Sequence, residues 1–139
     1  MRRKIALEQL QRVVDANYNR SKEGLRVCED LCRFVLNEPG LTAKFKKTRH
    51  ELTVVIVAFG LKEIVASRNI VGDVGRATTR EESKRQGSPD IFYANIQRVK
   101  ESLRVLEEFA KLRDVKLSGL LKKMRYSVYD IEKIVLEKL

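Results

Sequence analysis

Tryptophan is absent from this chain, histidine occurs once, and proline and cysteine occur twice each. Aromatic residues fill only 6% of the 139 positions, so a platform on which successive bases could stack is not expected. The single histidine, His50, supports no Ser–His–Asp arrangement by itself. No long hydrophobic run exists. The longest, Val54 to Phe59, is far short of the roughly 20 residues a spanning helix needs. The opening MRRKIALEQL is basic, but Glu8 and Gln9 interrupt it before an apolar targeting core can develop. No P-loop, kinase glycine-rich loop or dinucleotide fingerprint is present. Two cysteines four positions apart, Cys28 and Cys32, fit reduced thiols in a cytoplasmic protein.

What is present is charge and repetition. Lysine and arginine number 29 against 19 acidic residues, a net charge of +10. That excess points to partners bearing phosphate, without choosing between nucleic acid, nucleotide and small metabolite. The hydrophobic fraction of 43% suffices for one core, and 139 residues suit one domain. The repetition is more specific. ANYNRSKEGLRVCEDL (Ala16 to Leu31) and ANIQRVKESLRVLEEF (Ala94 to Phe109) match at 9 of 16 positions with an offset of 78. LTAKFKKTR (Leu41 to Arg49) and LSGLLKKMR (Leu117 to Arg125) follow, with an offset of 76. The repeated unit is therefore two elements and their linker.

Each unit reads as a helical hairpin. Leu7, Leu10, Val14, Tyr18, Ser21, Leu25, Cys28, Cys32 and Val35 recur at steps of three and four, which predicts one long helix over about 5–36. Asn37 to Gly40 ends it, with Pro39 as breaker and Gly40 as the turn residue. A second helix is expected from an N-cap at Thr42 to about Arg68. Its run TVVIVAF (Thr53 to Phe59) has strand propensity, but the matching stretch of the second unit, Tyr126 to Leu139, has helical spacing. The third helix is expected over about 91–113, capped by Ser88 or Asp90, and the fourth from Leu117 onward. Residues 69–90 form a long connection carrying Gly72, Gly75, Gly87 and Pro89. The expected fold is all-α: one domain over 1–139, a four-helix bundle of two hairpins (about 5–68 and 91–139) with pseudo-two-fold internal symmetry.

Laying the copies together isolates polar residues on inward rows. Val13, Asn17, Arg20, Gly24, Val27, Leu31 and Phe34 run along the first helix beside the apolar seam. Ile91, Asn95, Arg98, Ser102, Val105, Phe109 and Leu112 match them in the third. Burying Asn or Arg without a partner costs about 1–3 kcal/mol or more. Two solutions are open. The side chains pair with carboxylates such as Glu23, Glu29, Glu101 or Glu107, or they ring a polar pocket in which Arg presents its planar fork to phosphate. Mid-helix Gly24, which costs about 1 kcal/mol against alanine, calls for close helix approach or room for a ligand. Lys22, Glu23, Arg26, Glu29 and Asp30 recur as Lys100, Glu101, Arg104, Glu107 and Glu108. Such alternating charge is usually a solvated face, though retention in both copies argues for more. Arg49 and Arg125 adjoin apolar positions and are the better pocket candidates of the second helices. In Gly72-Asp73-Val74-Gly75, two glycines would let backbone N–H groups converge on an anion and Asp73 would hold a magnesium ion; a plain turn explains it equally well. Cys28 and Cys32 face Leu106 and Ala110 in the second copy, so they read as core thiols, not metal ligands.

DANYNRSKEGLRVCED (Asp15 to Asp30), Arg49-His50, GDVG (Gly72 to Gly75) and the second-copy run Ala94 to Glu108 together resemble the all-helical hydroxymethylpyrimidine-phosphate kinases of thiamine biosynthesis. That domain commonly stands in front of thiamine-phosphate synthase. The resemblance covers nearly the whole chain and implies transfer of the ATP γ-phosphoryl group to hydroxymethylpyrimidine phosphate, with magnesium. It implies Arg20, Arg98 and Arg49 as catalytic residues. Asn17, Asn95, Arg26, Arg104, Gly24, Gly72 and Gly75 would bind substrate or phosphate, and Asp73 and Glu29 the metal. It further implies a small phosphorylated pyrimidine and a nucleotide as ligands, no membrane or nucleic acid, and a homodimer or an association with thiamine-phosphate synthase. The alternative is a non-catalytic basic module that docks RNA or a partner enzyme. Gly24 against Ser102, Asp15 against Tyr93, and the single loop carrying Asp73 are where the copies differ. Those positions are expected to decide which half holds which phosphate.

Overall fold

A computed structural model describes residues 2–139, with the side chain of Glu82 left out of account. Among the described residues the secondary structure is entirely helical. Helix α1 spans Leu7–Asp30 and continues into a π-helical turn over Leu31–Val35. Helix α2 spans Pro39–Val57, α3 spans Leu61–Ala66, α4 spans Ser88–Ala110 and α5 spans Val115–Leu136. No described helix is long and apolar enough to cross a membrane.

The helix ends show how local chemistry sets these bounds. Gln9 Oε1 accepts from the Ala6 backbone N–H at 2.9 Å, satisfying a donor at the start of α1. At the far end Leu36 N–H reaches back five residues to Leu31 O at 3.0 Å, and Glu38 N–H to Cys32 O at 2.9 Å. The reversal is made by Asn37, at φ 54°, a conformation asparagine tolerates better than most residues. Gly40, expected as the turn residue, lies inside α2. Thr42, expected as its N-cap, donates its hydroxyl to Glu38 O at 2.8 Å. The helix instead starts at Pro39, whose missing N–H is no loss in the first turn.

The single helix expected over 42–68 is broken. Gly60 adopts φ +88° and separates α2 from α3. A side chain there would be strained and would also meet Glu63. The strand-like run is helical as far as Val57. At the second hairpin Asp114 caps α5, its Oδ1 accepting from Lys116 N–H at 2.8 Å. Helix α4 begins three residues before the expected position, with Gly87 as its N-cap. Asp90 holds the entry by accepting from Gln86 N–H at 3.0 Å.

Helices α1 and α4 pack antiparallel along the centre, with α2 beside α1, α5 beside α4, and α2 touching α5. The crossing point is close because Gly24 faces Val99 and the Asn95 carbonyl, while the Ser21 and Ser102 hydroxyls hydrogen-bond to each other. The seam predicted for α1 is buried at Leu10, Val14, Tyr18, Ser21, Leu25, Cys28 and Cys32. It meets Phe92, Ile96, Val99, Leu103 and Leu106 of α4, Phe45, Leu52 and Ile56 of α2, and Leu121, Val128 and Val135 of α5. Each such side chain contributes about 1.5–3 kcal/mol when fully buried. Short α3 is anchored by buried Ile64 and packs on α1. Arg113, between α4 and α5, donates to Phe59 O at 3.0 Å and ties the break after α2 to the second hairpin.

Candidate functional site

A cleft of about 900 Å³ opens over one side of α1. Two adjacent rows of that helix form its floor. Arg12, Asp15, Asn19 and Glu23 make one, and Val13, Asn17 and Arg20 the other. Its walls come from Arg3, Lys4 and Ile5 before α1, from Arg68, Asn69, Ile70 and Asp73 after α3, and from Phe109 of α4. Five cationic side chains line it (Arg3, Lys4, Arg12, Arg20 and Arg68), against three carboxylates, Asp15, Glu23 and Asp73. Val13, Ile5, Ile70 and Phe109 supply apolar surface. Cationic donors beside an apolar wall suit a flat heterocycle carrying phosphate.

The polar groups of the floor are held in place. Asn17 is buried, and its amide nitrogen donates to Val13 O, one turn back, at 2.9 Å. That fixes its oxygen, which accepts from Arg20 Nη1 at 3.3 Å. Asn95 makes the matching bond in the second copy, donating to Ile91 O at 2.8 Å. The inward asparagines thus find partners on their own helix. Asp15 is only 5% exposed, yet it accepts from Arg68 Nε at 2.6 Å and Arg68 Nη2 at 2.8 Å, and from Asn19 Nδ2 at 3.2 Å. The carboxylate in turn raises the Arg68 pKa, chiefly through that hydrogen bonding.

The cleft gathers some of the expected residues and leaves others elsewhere. Asn17, Arg20 and Asp73 line it. Asn95 is half-buried and Arg98 exposed, and neither lines it. Arg49 is buried and donates through Nε to Glu29 Oε2 at 3.1 Å, with Arg26 on the same carboxylate at 3.5 Å. Its counterpart Arg125 donates to Glu107 Oε2 at 2.7 Å, with Arg104 on that carboxylate at 3.1 Å. The hydrogen bond to Glu107 raises the Arg125 pKa above its already high ordinary value, outweighing burial, which lowers it. Arg49 and Arg125, expected in the pocket, therefore clamp α2 to α1 and α5 to α4. Glu29, expected to hold metal, is enclosed by two guanidinium groups and lies outside the cleft.

Gly24 makes no room for a ligand; it makes room for α4. Gly72 and Gly75 direct their N–H groups to Asn69 Oδ1 and Asp73 Oδ1, both at 2.9 Å, so they close successive turns instead of converging on an anion. Those turns present Asp73 on the cleft wall. Cys28 and Cys32 are free and buried, as read from the sequence. Burial, with Glu38 adding, pushes the Cys32 thiol up to about 11, and burial pushes Cys28 higher still. Among the described residues no group of three or more His, Cys, Asp or Glu side chains converges as a metal site.

Arg12, Asn19 and Arg68 escaped the sequence reading. The signal available was the spacing Arg12–Asp15–Asn19, one face of a helix, but their second-copy counterparts are Asp90, Tyr93 and Gln97. Selecting residues kept in both copies found the interhelical clamps Arg49 and Arg125 together with Asn17, Arg20 and Glu23 of the floor. It missed Arg12 and Asn19, which the second copy replaces with Asp90 and Gln97, and Arg68, which lies beyond the matched stretches.

The sequence profile of the ThiD2 family matches residues 12–134. Curated relatives named thiamine-phosphate synthase are similar along most of the chain. That of Nostoc punctiforme is 41% identical over 122 residues, covering 87% of this chain and 34% of the relative. That of Thermosynechococcus vestitus is 39% identical over 126 residues, covering 90% and 35%. That of Rhodopirellula baltica is 36% identical over 119 residues, covering 85% and 32%. The chain thus spans about a third of the length of these relatives. No solved structure matches it. With the profile covering nearly all of its length, the chain belongs to the ThiD2 family.

Proposed function

We propose that this ThiD2-family protein is a kinase of thiamine biosynthesis, transferring the γ-phosphoryl group of ATP to hydroxymethylpyrimidine phosphate. The products are the pyrimidine diphosphate and ADP. The observation that carries the reading is the composition of the cleft: five cations, one apolar wall and no histidine. A phosphate oxygen of the substrate attacks the γ-phosphorus, and the bond from that phosphorus to the β-bridging oxygen breaks. The nucleophile is already anionic near neutral pH, so the reaction needs alignment and charge neutralisation more than a general base. Arg20, held by Asn17, and Arg12 contact phosphate oxygens. Val13, Ile70 and Phe109 receive the pyrimidine face. The thiamine setting is supported by the relatives' name.

Asp73 and Glu23, carboxylates that both line the cleft, would hold the magnesium ion. Asp73 gives one oxygen to the Gly75 N–H, leaving further lone pairs, and the exposed Glu23 lines the same space. Magnesium binds through one or two carboxylates with substrate phosphates completing its shell, and it neutralises charge on the transferred group. Asp15 is already held by Arg68 and Asn19.

The test is direct. Pure protein, MgATP and hydroxymethylpyrimidine phosphate are incubated and the diphosphate is sought by mass spectrometry. Turnover, with poor use of the unphosphorylated alcohol, is expected. No turnover and no ligand-induced shift in melting temperature would favour the second reading, a non-catalytic module that docks thiamine-phosphate synthase. What speaks for that reading is that the chain matches only about a third of relatives bearing that name.

A further inference from the structure

The cleft has one polar contact that neither the helix packing nor the proposed reaction uses. Asp15 is a buried carboxylate on α1 with no counterpart in the second copy, where Tyr93 stands. Its side chain is 7% exposed, whereas that of Arg68, its partner, is 42% exposed. A buried anion normally needs full compensation, and here it receives three N–H donors: two from Arg68 and one from Asn19. Asn19 is itself braced, donating also to Asp15 O at 2.9 Å. The carboxylate is therefore a fixed point on a rigid helix.

Arg68 lies just past α3, at the root of the long connection to α4. It grips Asp15 with the Nε and Nη2 edge of its guanidinium. Three of its five N–H groups are left over: both on Nη1 and the second on Nη2. Arg68 lines the cleft, as do Asn69, Ile70 and Asp73 immediately after it. The grip thus aims the remaining edge of the fork and anchors the segment presenting Asp73.

We infer that Arg68 is a phosphate-binding arginine of the cleft and that Asp15 is the positioning residue that aims it. Phosphate engages Nη1 and the free Nη2 proton while the opposite edge stays on Asp15. A carboxylate–guanidinium–phosphate row costs little reorganisation, because the guanidinium is oriented before the ligand arrives. Lysine, a point charge with no second edge, cannot bridge both anions in a plane. This inference rests on the proposed kinase reading for the identity of the ligand, not for the geometry.

The experiment compares the intact protein with Arg68→Lys, Arg68→Ala, Asp15→Asn and the double variant Asp15→Asn/Arg68→Lys. Arg68→Lys leaves Asp15 a cationic partner and so preserves the fold, which a thermal melt checks. Expected are KM values for the phosphorylated substrate or MgATP raised about tenfold or more in Arg68→Lys and Asp15→Asn, with kcat less affected. The double variant should be no worse than the poorer single one, because both remove one device. KM values within twofold of the parent in folded Arg68→Lys and Arg68→Ala, from a protein that does turn over, overturn the inference and leave the kinase reading standing. If the parent shows no turnover, the kinase reading fails. Calorimetry with inorganic pyrophosphate then decides: a loss of about tenfold in affinity in Arg68→Ala upholds the inference, and unchanged affinity overturns it.

Discussion

Gly24 and Val99 meet where α1 crosses α4: a Cβ on Gly24 would fall 2.7 Å from Val99 Cγ2 and 3.0 Å from the Asn95 carbonyl oxygen. Alanine would gain about 1 kcal/mol of helix propensity there. The obstacle is a fully buried β-branched side chain and a backbone atom, neither free to move aside. Gly24→Ala should therefore lower stability by about 1–3 kcal/mol, read by denaturant titration. Unchanged or raised stability would mean the helices can separate at no cost.

The pair Arg49–Glu29 joins α2 to α1 with side chains only 11% and 6% exposed. Glu29→Ala leaves Arg49 buried without its partner and should cost about 3–5 kcal/mol, whereas Arg49→Ala leaves Glu29 the half-exposed Arg26 and should cost less. The double substitution should cost less than the sum. The matching pair Arg125–Glu107, at 13% and 3%, should behave alike in the second hairpin. Fully additive losses in a double-mutant cycle would refute the clamp.

The thiols should be silent at neutral pH. Cys28 and Cys32 are both fully buried, so a thiol reagent at pH 8 should label neither until the protein is denatured. Burial holds the Cys32 pKa at about 11 against an ordinary 9.0, with Glu38 adding to the effect. The unfolded chain then releases its proton first as pH rises. The stabilisation from keeping the thiol neutral is complete below 9.0 and is lost as pH climbs through about 11. A Cys32→Ala variant should show a shallower fall in stability across that window. Equal slopes would mean the thiol contributes nothing to it.

Only one of the two repeated arginines lines the cleft. Arg20→Ala should lower kcat/KM for diphosphate formation by about 100-fold, as loss of a charged donor to a transferring phosphoryl group does. Arg98→Ala, at an exposed position away from that space, should change it far less. Equal losses from both would point to a second working site on the α4 side.

Asp73→Asn keeps the turn bond to the Gly75 N–H but removes a charge from the wall of the cleft. The magnesium concentration needed for half-maximal rate should rise by about tenfold, and chelation should abolish turnover in the parent. An unaltered magnesium dependence would exclude Asp73 as the ligand.

These expectations divide according to what each residue's neighbours are. The seam from Leu10 to Cys32 was legible because helical spacing is written in consecutive residues and burial follows it. The helical state of Thr53 to Val57 was legible through its second-copy counterpart. The turn at Asn37 and the break at Gly60 were not. Asparagine in a left-handed conformation and a glycine that must be left-handed look, in one dimension, like any others. Gly40 and Thr42 were equally good candidates by type.

The sequence by itself determined an all-helical chain with a repeated helix–linker–helix pattern, an excess of basic residues and buried thiols, and it picked out Asn17, Arg20 and Asp73, which the fold brings to the cleft. Which arginines clamp helices and which face open space was decided only by the tertiary structure. Arg49 and Arg20 are the same side chain on similar rows. One meets Glu29 across a helix interface, and the other meets Asn17 at the edge of a cleft. Duplication keeps the packing, its ion pairs and the Asn–Arg step in both halves. The cleft forms over Asn17 and Arg20 and not over Asn95 and Arg98, because Arg12, Asp15, Asn19 and the segment after α3 surround only the first pair. Asp15 and Arg68, 53 positions apart, acquire a relation only when α3 folds back against α1.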